Sequence, residues 1–304
     1  MTAHPPPTKV GIVGCGLIGA SLALLVKRSI PDATIVAYER NAAHVETLRS
    51  ILPDLASADA LDGLSDCRFV FVCTPPSTIG AIVCDLIATC SDETVIVDAG
   101  SVKSVVVEQV SSAHPSFDRF VPGHPLAGSP ASGPTRAGAD ILLGKPYVLT
   151  PYAATSEAAV AAVSAFLKDA GLRVFCTDAD RHDRVVAMTS HVTHVIAFAL
   201  VDRLRELEQT EFESGESSSR DDMLYFLGGS ILGMTEFAAS DPVMWSDILR
   251  FNADKIREET ARLCDRASTL AAWSGEADAQ DIVKRLEETR AYRVELEARK
   301  DEDF

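Results

Sequence analysis

His124 and Ser101 are the two side chains of this sequence best suited to acid–base chemistry. His124 lies between Gly123 and Pro125, and this pattern predicts a rigid loop around the imidazole. Histidine is the natural base for proton transfer near pH 7. Ser101 follows the run Asp-Ala-Gly, so its hydroxyl is expected at a turn between a strand and a helix. Each residue also has a structural alternative: a surface histidine in a loop, and a serine that caps a helix.

Ser190 and His194 form a second pair of polar side chains, within an otherwise apolar predicted helix. Residues four apart share one face of a helix. Two polar groups on one such face indicate a ligand pocket, although they could instead cap or solvate a contact between domains. His191 lies on another face of the same helix and is assigned a structural role.

The run Gly-Cys-Gly-Leu-Ile-Gly near the start of the chain directly follows a short apolar stretch. In a dinucleotide-binding turn, Gly14 would let the strand turn, Gly16 would let N–H groups approach a pyrophosphate, and Gly19 would let the helix pack closely. Leu17 and Ile18 begin that helix, whose N-terminal N–H groups attract phosphates. The run predicts a cofactor site, and an ordinary strand–helix–strand unit without cofactor is the alternative.

Glu39 ends the second predicted strand, 20 residues past Gly19. A carboxylate at this spacing can accept a hydrogen bond from a ribose 2′-hydroxyl and would repel a 2′-phosphate, so NAD is favoured over NADP. Arg40 is the neighbour that could reach such a phosphate. Thr74 and Pro75 follow another predicted strand and are assigned to the same cofactor site, because ligands bind beyond the carboxyl ends of parallel strands.

Short apolar runs alternate with amphipathic segments through the first half of the chain. This alternation predicts a parallel sheet with helices on both faces. The predicted strands are residues 10–13, 34–38, 69–73, 94–98, 120–122, 147–150 and 173–176. The predicted helices are residues 20–29, 41–50, 78–90, 102–112 and 155–170.

The second half shows only helical periodicity. A polar loop is predicted at 210–222, followed by helices at 224–239, 242–271 and 277–299. Helices with this much apolar surface pack on their own sheet or on a second copy of the chain, so we expect a homodimer. The predicted class is α/β: an N-terminal Rossmann-type doubly wound parallel sheet followed by an all-α dimerisation domain. Residues 1–8 are assigned to a disordered tail, 9–178 to the NAD-binding domain and 179–304 to a helical substrate and dimerisation domain.

Composition limits the partners of the protein. The net charge of −16 argues against binding nucleic acid or an anionic lipid surface. The seven cysteines form no Cys-x-x-Cys pair, which indicates reduced core residues and neither a metal site nor a disulfide framework. The first residues do not have the pattern of a signal peptide, so a cytoplasmic location is expected. Residues 10–26 carry no charge, but their glycines favour a strand, a turn and a helix over a membrane span.

These motifs, in this order, resemble the prephenate dehydrogenase family, which comprises prephenate and arogenate dehydrogenases of tyrosine biosynthesis. The resemblance covers roughly residues 9–265, and its joint spacing is more specific than any one motif. The matching segments are 14–19, 98–103, 123–125, 182–183, 190–194 and 240–248, together with Asn252.

The resemblance implies NAD-dependent oxidative decarboxylation of a cyclohexadiene acid, without a metal. It implies that His124 takes the proton of the ring C4 substituent while a hydride leaves C4 for the nicotinamide. Ser101 would hold that substituent and the histidine in register. Ser190 and His194 would lie beside the substrate carboxylates, and Ser240 is assigned to the same site.

Glu236 departs from the family pattern, because the family usually has an arginine there that pairs with a substrate carboxylate. Like charges a few ångströms apart cost about 1–4 kcal/mol at effective dielectric constants of 80 to 20. Three interpretations stay open. Glu236 could accept a substrate ammonium, as in arogenate or 4-amino-4-deoxyprephenate; it could pair with Arg250 or Arg220; or the alignment could slip locally. The first is preferred and favours an amino-bearing substrate.

Two other classes of function remain as alternatives. One is a β-hydroxyacid dehydrogenase or imine reductase of similar architecture, which would rely on a catalytic lysine or on other polar groups in the helical domain. The other is a non-enzymatic module that senses NAD. The Gly-His-Pro segment and the Ser190–His194 pair speak against the first. A sensing module would have no use for the three polar residues expected to converge beyond the strand ends, which are Thr74, Ser101 and His124.

Overall fold

The computed structural model of the chain describes residues 8–127, 133–212 and 220–303. Nearly all of the tail assigned to residues 1–8 therefore lies outside the described residues. So do the last two residues of the segment Gly-His-Pro-Leu-Ala-Gly-Ser and the middle of the predicted loop 210–222.

Six parallel strands form the central sheet of the first half, in the spatial order β3-β2-β1-β4-β5-β6. Five of the predicted strands lie in this sheet, which confirms the doubly wound architecture. The strands are β1 (Lys9–Val13), β2 (Thr34–Tyr38), β3 (Ala56–Ser57), β4 (Phe69–Val72), β5 (Val95–Asp98) and β6 (Phe120–Val121).

Helices cover both faces of this sheet, as the continuous apolar strands predict. Ile12 and Phe71 belong to a buried cluster on one face, and Val70 and Val72 belong to a second cluster on the other. The apolar run 10–26 is therefore β1, a turn and the start of a helix. The helices of this half are α1 (Leu17–Ser29), α2 (Ala42–Ile51), α3 (Pro76–Thr89), α4 (Ser104–Ala113) and α5 (Glu157–Asp169).

Three further strands form a separate small sheet. Two of them, at 147–150 and 173–176, are predicted as strands, but their predicted place in the parallel sheet is wrong. The three strands are β7 (Gly123–Pro125), β8 (Pro146–Leu149) and β9 (Arg173–Cys176). β7 pairs with β8 in antiparallel fashion, with His124 opposite Val148, and β8 pairs with β9 in parallel. His124 thus lies in a short strand and not in the predicted loop, so its backbone is held by a hydrogen-bonded neighbour.

In the described residues of the second half, short non-helical connections join the helices, and the half begins with one long helical stretch. This stretch comprises α6 (Ala179–Val186), a π-helical turn (Ala187–His191), α7 (Val192–Leu207) and a second π-helical turn (Glu208–Phe212). From Ala179 to Glu211 it is long and apolar enough to cross a membrane by length and composition, and 28% of its most apolar window is buried in the protein. That test is also passed by helices that pack on protein, and α6 and the π-helical turn at residues 187–191 contribute buried residues to the junction with the first half.

Two of the predicted helices in this half are interrupted. The segment 224–239 consists of a 3₁₀ turn (Arg220–Phe226), α8 (Gly229–Thr235) and another 3₁₀ turn (Glu236–Ala239), because paired glycines at 228 and 229 disfavour a continuous helix. The segment 242–271 divides at Asn252 into two helices. The helices that follow are α9 (Pro242–Phe251), α10 (Ala253–Glu276) and α11 (Ala279–Asp303).

Two carboxylates of the helical half cap helices of the sheet-bearing half. Neither α3 nor α4 has a capping side chain at its own N-cap residue. Asp183 accepts the N–H groups of Lys103 and Ser104 at the start of α4, each at 2.8 Å, and Asp247 accepts the N–H of Ser77 in α3 at 3.0 Å. Helix N-termini attract negative charge, so these contacts join the two halves at the edge where ligands are expected.

Candidate functional site

The glycine turn between β1 and α1 has the geometry that a dinucleotide requires. Gly14 has φ +92°, a left-handed conformation that favours glycine. A Cβ on Gly19 would lie 1.9 Å from the carbonyl oxygen of Gly14, whereas a Cβ on Gly16 would meet no atom within 4 Å. No side chain caps the start of α1, which leaves the N–H groups near Leu17 and Ile18 for a phosphate. The turn therefore fits a pyrophosphate.

Glu39 is held at the end of β2 beside this turn. Its Oε2 accepts the N–H of Cys15, in the turn itself, and its Oε1 accepts the N–H of Asn41, both at 2.8 Å. The carboxylate is thus positioned between the glycine turn and the start of α2, where a ribose hydroxyl could reach it. The side chain of Arg40 is exposed and forms no ion pair with any residue that the structure describes.

Thr74 and Pro75 lie on the neighbouring turn between β4 and α3. The Thr74 methyl group would be 2.9 Å from a Cβ on Gly14, so this side chain packs directly against the glycine turn. Its Oγ1 accepts a hydrogen bond from Thr78 at 2.9 Å. Pro75 is exposed and precedes the first residue of α3. The predicted cofactor residues thus surround one turn, and their contacts with a cofactor stay a prediction.

A buried ion pair anchors the residue that precedes His124. Lys103 is fully buried, and its Nζ donates to the Asp98 carboxylate and to the carbonyl oxygen of Gly123, the latter at 2.8 Å. Asp98 in turn accepts the N–H of Gly123 at 3.1 Å. Burial lowers the pKa of Lys103, which the Asp98 carboxylate opposes. Both backbone polar groups of Gly123 are therefore tied to one charged pair at the end of β5.

His124 itself contacts a histidine of the helical half. Its Nδ1 lies 3.0 Å from Nε2 of His182, and Nδ1 of His182 lies 2.8 Å from Oδ1 of Asp183. His182 and Asp183 are buried at the start of the long helical stretch. The structural alternative of a loop histidine on the surface is therefore wrong, because His124 is partly buried and hydrogen-bonded across the junction.

Burial and neighbouring groups set the ionisation of this cluster. Burial lowers the pKa of His124 well below the ordinary histidine value, and His182, Lys103 and His191 lower it further. Burial raises the pKa of Asp183, but hydrogen bonds from His182 and Ser104 outweigh it and hold the pKa below the ordinary value. At neutral pH, His124 is therefore an uncharged imidazole that can accept a proton.

Ser101 lies on the turn after β5. The alternative that it only caps the following helix is wrong. The N-cap of α4 is Lys103, so Ser101 is not the capping residue. Its side chain is partly exposed, and no hydrogen bond joins its hydroxyl to another of the residues that the structure describes. The structure shows no direct contact from Ser101 to His124, and its predicted role at the substrate stays a prediction.

Ser190 lies in the first π-helical turn of the long helix, and His194 lies in the first turn of α7. Nδ1 of His194 donates to the carbonyl oxygen of Ser190 at 2.9 Å, which leaves Nε2 without a proton when the ring is neutral. The imidazole stacks on Trp245, with ring centroids 3.7 Å apart, and contacts Phe237 at 4.8 Å. Burial lowers the pKa of His194, against the hydrogen bond to Ser190. Such π-helical turns often occur at functional sites.

Trp245, His191 and Asn252 connect this histidine to the cluster around His124. His191 contacts Trp245 edge-on, with centroids 5.9 Å apart, and its Nδ1 accepts from Asn252 Nδ2 at 3.1 Å. Asn252 also donates to the carbonyl oxygen of Asp183 at 2.8 Å. The structure thus joins His194 to the cluster around His124 through one continuous set of contacts. Trp245 has no role predicted from its local sequence, and its buried Nε1 has no partner among the described residues.

Glu236 begins the 3₁₀ turn whose Phe237 contacts His194, and Ser240 directly follows that turn. Glu236 is exposed and adjoins Phe237, whose ring contacts that histidine. No ion pair joins it to Arg250, whose guanidinium lies 5.5 Å from the ring centroid of Phe251. The side chain of residue 220, the other proposed cation, lies outside the description. Ser240 lies between this turn and α9.

Comparison with known proteins gives matches over nearly the whole chain. The family model for the prephenate dehydrogenase nucleotide-binding domain matches residues 22–176, and the model for the prephenate dehydrogenase dimerization domain matches residues 178–288. The chain is 29% identical to a cyclohexadienyl dehydrogenase of Zymomonas mobilis over 288 residues, which are 94% of this chain and 95% of the relative. It is 28% identical to a prephenate dehydrogenase of Bacillus subtilis over 295 residues, covering 95% of this chain and 76% of that protein.

Solved structures agree with these matches. The prephenate dehydrogenase of Aquifex aeolicus, in complex with hydroxyphenyl propionate and NAD+, superimposes with a TM-score of 0.84 at 27% identity, covering 97% of this chain and 100% of that one. A Synechocystis arogenate dehydrogenase shares the fold, with a TM-score of 0.78 at 23% identity. The predicted resemblance and fold class are confirmed: the chain belongs to the prephenate dehydrogenase family, with a nucleotide-binding domain followed by a dimerization domain.

Proposed function

We propose that this protein is an NAD-dependent dehydrogenase that oxidatively decarboxylates a prephenate-type cyclohexadiene acid, with His124 as the proton acceptor. The observation that carries the proposal is the hydrogen-bonded, uncharged imidazole of His124 beyond the strand ends, at the junction between the two halves. A module that only senses NAD needs no such base.

NAD is supported as the cofactor by the family's nucleotide-binding domain and by the NAD+ bound in the Aquifex aeolicus enzyme. When bound, NAD+ supplies the hydride acceptor. The backbone around Gly14, Gly16 and Gly19 would hold the pyrophosphate, and Glu39 would accept a ribose hydroxyl. Thr74 packs on the glycine turn and would border the nicotinamide end.

The protein's own side chains would transfer one proton and bind the two substrate carboxylates. His124 would take the proton of the C4 substituent as C4 gives up its hydride, which bound NAD+ would accept. A C4 hydroxyl would then become a carbonyl, and a C4 amine would become an imine. The bond between ring and carboxylate then breaks, its electron pair enters the ring, and CO2 leaves. His124 would return its proton to the C4 oxygen or nitrogen of the aromatic product. Ser101 would orient the C4 substituent, and Ser190 with His194 would lie beside the carboxylates.

An amino-bearing substrate, such as arogenate or 4-amino-4-deoxyprephenate, is the finer form of this proposal. Glu236 stands where the family arginine would contact a carboxylate, and it is exposed beside the ring that contacts His194. It has no cationic partner among the described side chains, so its charge is available to a substrate ammonium.

A homodimer through the helical half is supported by the matched dimerization domain. Large apolar side chains are exposed along this half, which is typical of a surface that another subunit covers. They include Val201, Leu224, Tyr225, Leu232, Met234, Val243, Leu270, Val283 and Leu286. A cytoplasmic location stays a prediction.

The test of the reaction is NADH formation by the purified protein. With the preferred substrate, His124→Ala should lower kcat by roughly 10²–10⁴ while the Kd for NAD+ stays unchanged, because only the proton acceptor is lost. His114→Ala, a histidine at the far end of α4, is the matched control and should keep its kcat. A normal kcat in the His124 variant would remove this residue from the chemistry, and no turnover of any ring substrate would favour an NAD sensor.

The substrate is decided by running the assay side by side on prephenate, arogenate and 4-amino-4-deoxyprephenate. At an exposed site, one charge–charge contact is worth about 1 kcal/mol, which is roughly a fivefold effect. Glu236→Gln should therefore lower kcat/KM for the amino-bearing compound about fivefold, and Glu236→Arg should shift the preference toward prephenate about thirtyfold. Equal ratios of kcat/KM in all three proteins would show that Glu236 does not select the substrate.

A further inference from the structure

We propose that His182 and Asp183 are positioning residues that fix His124 in one tautomer, with the proton on Nδ1 and none on Nε2. A proton added to the His124–His182 pair reverses this order and removes the acceptor. The inference deepens the proposed function, since it names the groups of the helical half that prepare the base.

Asp183 determines which nitrogen of His182 carries the proton. Its carboxylate receives the N–H groups of Lys103 and Ser104 at the start of α4, and it can only accept. Nδ1 of His182, at 2.8 Å from Oδ1, must therefore be the donor. The opposite tautomer of His182 would place a lone pair against a carboxylate oxygen at this distance.

His182 in turn determines which nitrogen of His124 carries the proton. A neutral His182 that donates from Nδ1 has only a lone pair on Nε2. This lone pair faces Nδ1 of His124 at 3.0 Å, so His124 must carry its proton on Nδ1. Its Nε2 is then the unprotonated nitrogen that a base requires.

The surroundings hold both positioning residues in place. His182 and Asp183 are 3% and 1% exposed, and Asn252 donates to the carbonyl of Asp183. On the other side, the Lys103–Asp98 pair holds both polar groups of the residue before His124. Rotation of either imidazole would break a buried hydrogen bond.

The same chain of hydrogen bonds predicts how acid inactivates the enzyme. The titratable groups that face His124 are His182 from α6, Lys103 from the turn before α4, and His191 from the π-helical turn, with Asp183 behind His182. If His182 gains a proton, both of its nitrogens donate. His124 must then accept at Nδ1 and carry its own hydrogen on Nε2, so one shared proton inactivates the pair.

The variants His182→Gln and His182→Phe separate these roles. Glutamine keeps an acceptor near the position of Nε2, whereas phenylalanine keeps a flat ring without one. We expect His182→Phe to lose roughly 10–100-fold in kcat at pH 8 with an unchanged Kd for NAD+, and His182→Gln to regain most of it. In both variants the acid limb of kcat/KM should move to lower pH, because His182 can no longer take up or share the inactivating proton. Equal activity of the two variants, or an unmoved acid limb, would overturn the proposal.

A second readout does not depend on turnover. The ¹⁵N spectrum of histidine-labelled protein with NAD+ bound should show His124 protonated on Nδ1 alone, assigned by the signals that disappear in His124→Asn. In His182→Phe both tautomers should appear, whereas His114→Phe should leave the spectrum of His124 unchanged. A proton on Nε2 of His124 in the native protein would contradict the inference. This measurement needs no folded His182 variant. Loss of the proposed dehydrogenase activity would leave this spectrum unaffected, so the two failures are distinguishable.

Discussion

Lys103→Met is expected to lower the free energy of unfolding more than the other substitutions considered below. Methionine keeps the length of the side chain but removes the charge and the donors that bind Asp98 and Gly123. The remaining carboxylate would be fully buried without a cation. Removing one partner of a buried ion pair costs about 3–5 kcal/mol. For a folding unit of this size, each kcal/mol lowers Tm by about 2–4 °C, so the fall should be roughly 6–20 °C.

The assay is urea and thermal unfolding followed by circular dichroism, with two comparison variants. Lys9→Met breaks an ion pair with Asp66 that is largely exposed, and it should cost about 0–1 kcal/mol. Asp98→Asn combined with Lys103→Met removes both charges and should recover at least about 1.5 kcal/mol of the loss. The reasoning is refuted if Lys103→Met is as mild as Lys9→Met, or if the double variant is no more stable than the single one.

Three further outcomes follow from the turn and from the junction. Gly19→Ala would place a Cβ 1.9 Å from the Gly14 carbonyl oxygen, so the Kd for NAD+ in a calorimetric titration should rise more than about tenfold. Asp247→Ala removes the cap on the N–H of Ser77 and should lower the free energy of unfolding by about 0.5–2 kcal/mol in urea titrations. The pKa of Asp183 is lowered in the folded protein, so its contribution to stability is present above about pH 4 and is lost as pH falls through the lower folded value. Stability curves of the native protein and Asp183→Ala should therefore converge only below pH 4.

Local sequence patterns predict the strands of the first half but not all of their partners. The runs around Ile12, Val36 and Phe71 are apolar without interruption and bounded by turn residues, which is typical of central parallel strands. The run at 147–150 has the same composition, yet its strand pairs with β7 and β9 in a separate sheet. The apolar composition of a strand indicates that it is buried. Which strands it pairs with depends on the path of the connecting segments, and local periodicity carries no information on that path.

The helical half shows the same limit. The apolar periodicity of 224–239 continues through Gly228 and Gly229, and only the structure shows that the helix is interrupted there. The division at Asn252 is likewise hidden in the sequence, because this asparagine both ends a helix and bonds to the backbone of Asp183. Its second contact involves a residue 69 positions away.

Side chains of the candidate site could be found by type, but their partners could not. His124 and Ser101 are recognisable from the glycines and prolines around them. The contact from His124 to His182 spans 58 positions, and no local rule pairs two such histidines. Lys103 shows the converse problem. A lysine at the start of a helix reads as a surface residue, and only the fold reveals that it is fully buried against Asp98.

The proposed base is therefore a property of the junction and not of either half alone. The imidazole of His124 comes from the sheet-bearing half, and the group that orders its hydrogens comes from the helical half. The same Asp183 that directs His182 also caps α4, so docking of the halves and ordering of the base use one carboxylate. Asp247 makes a second such contact on α3, beside the turn that holds Thr74. If the halves separate, α4 loses its cap and His124 loses its acceptor together, and a substrate would meet a competent base only in the docked arrangement.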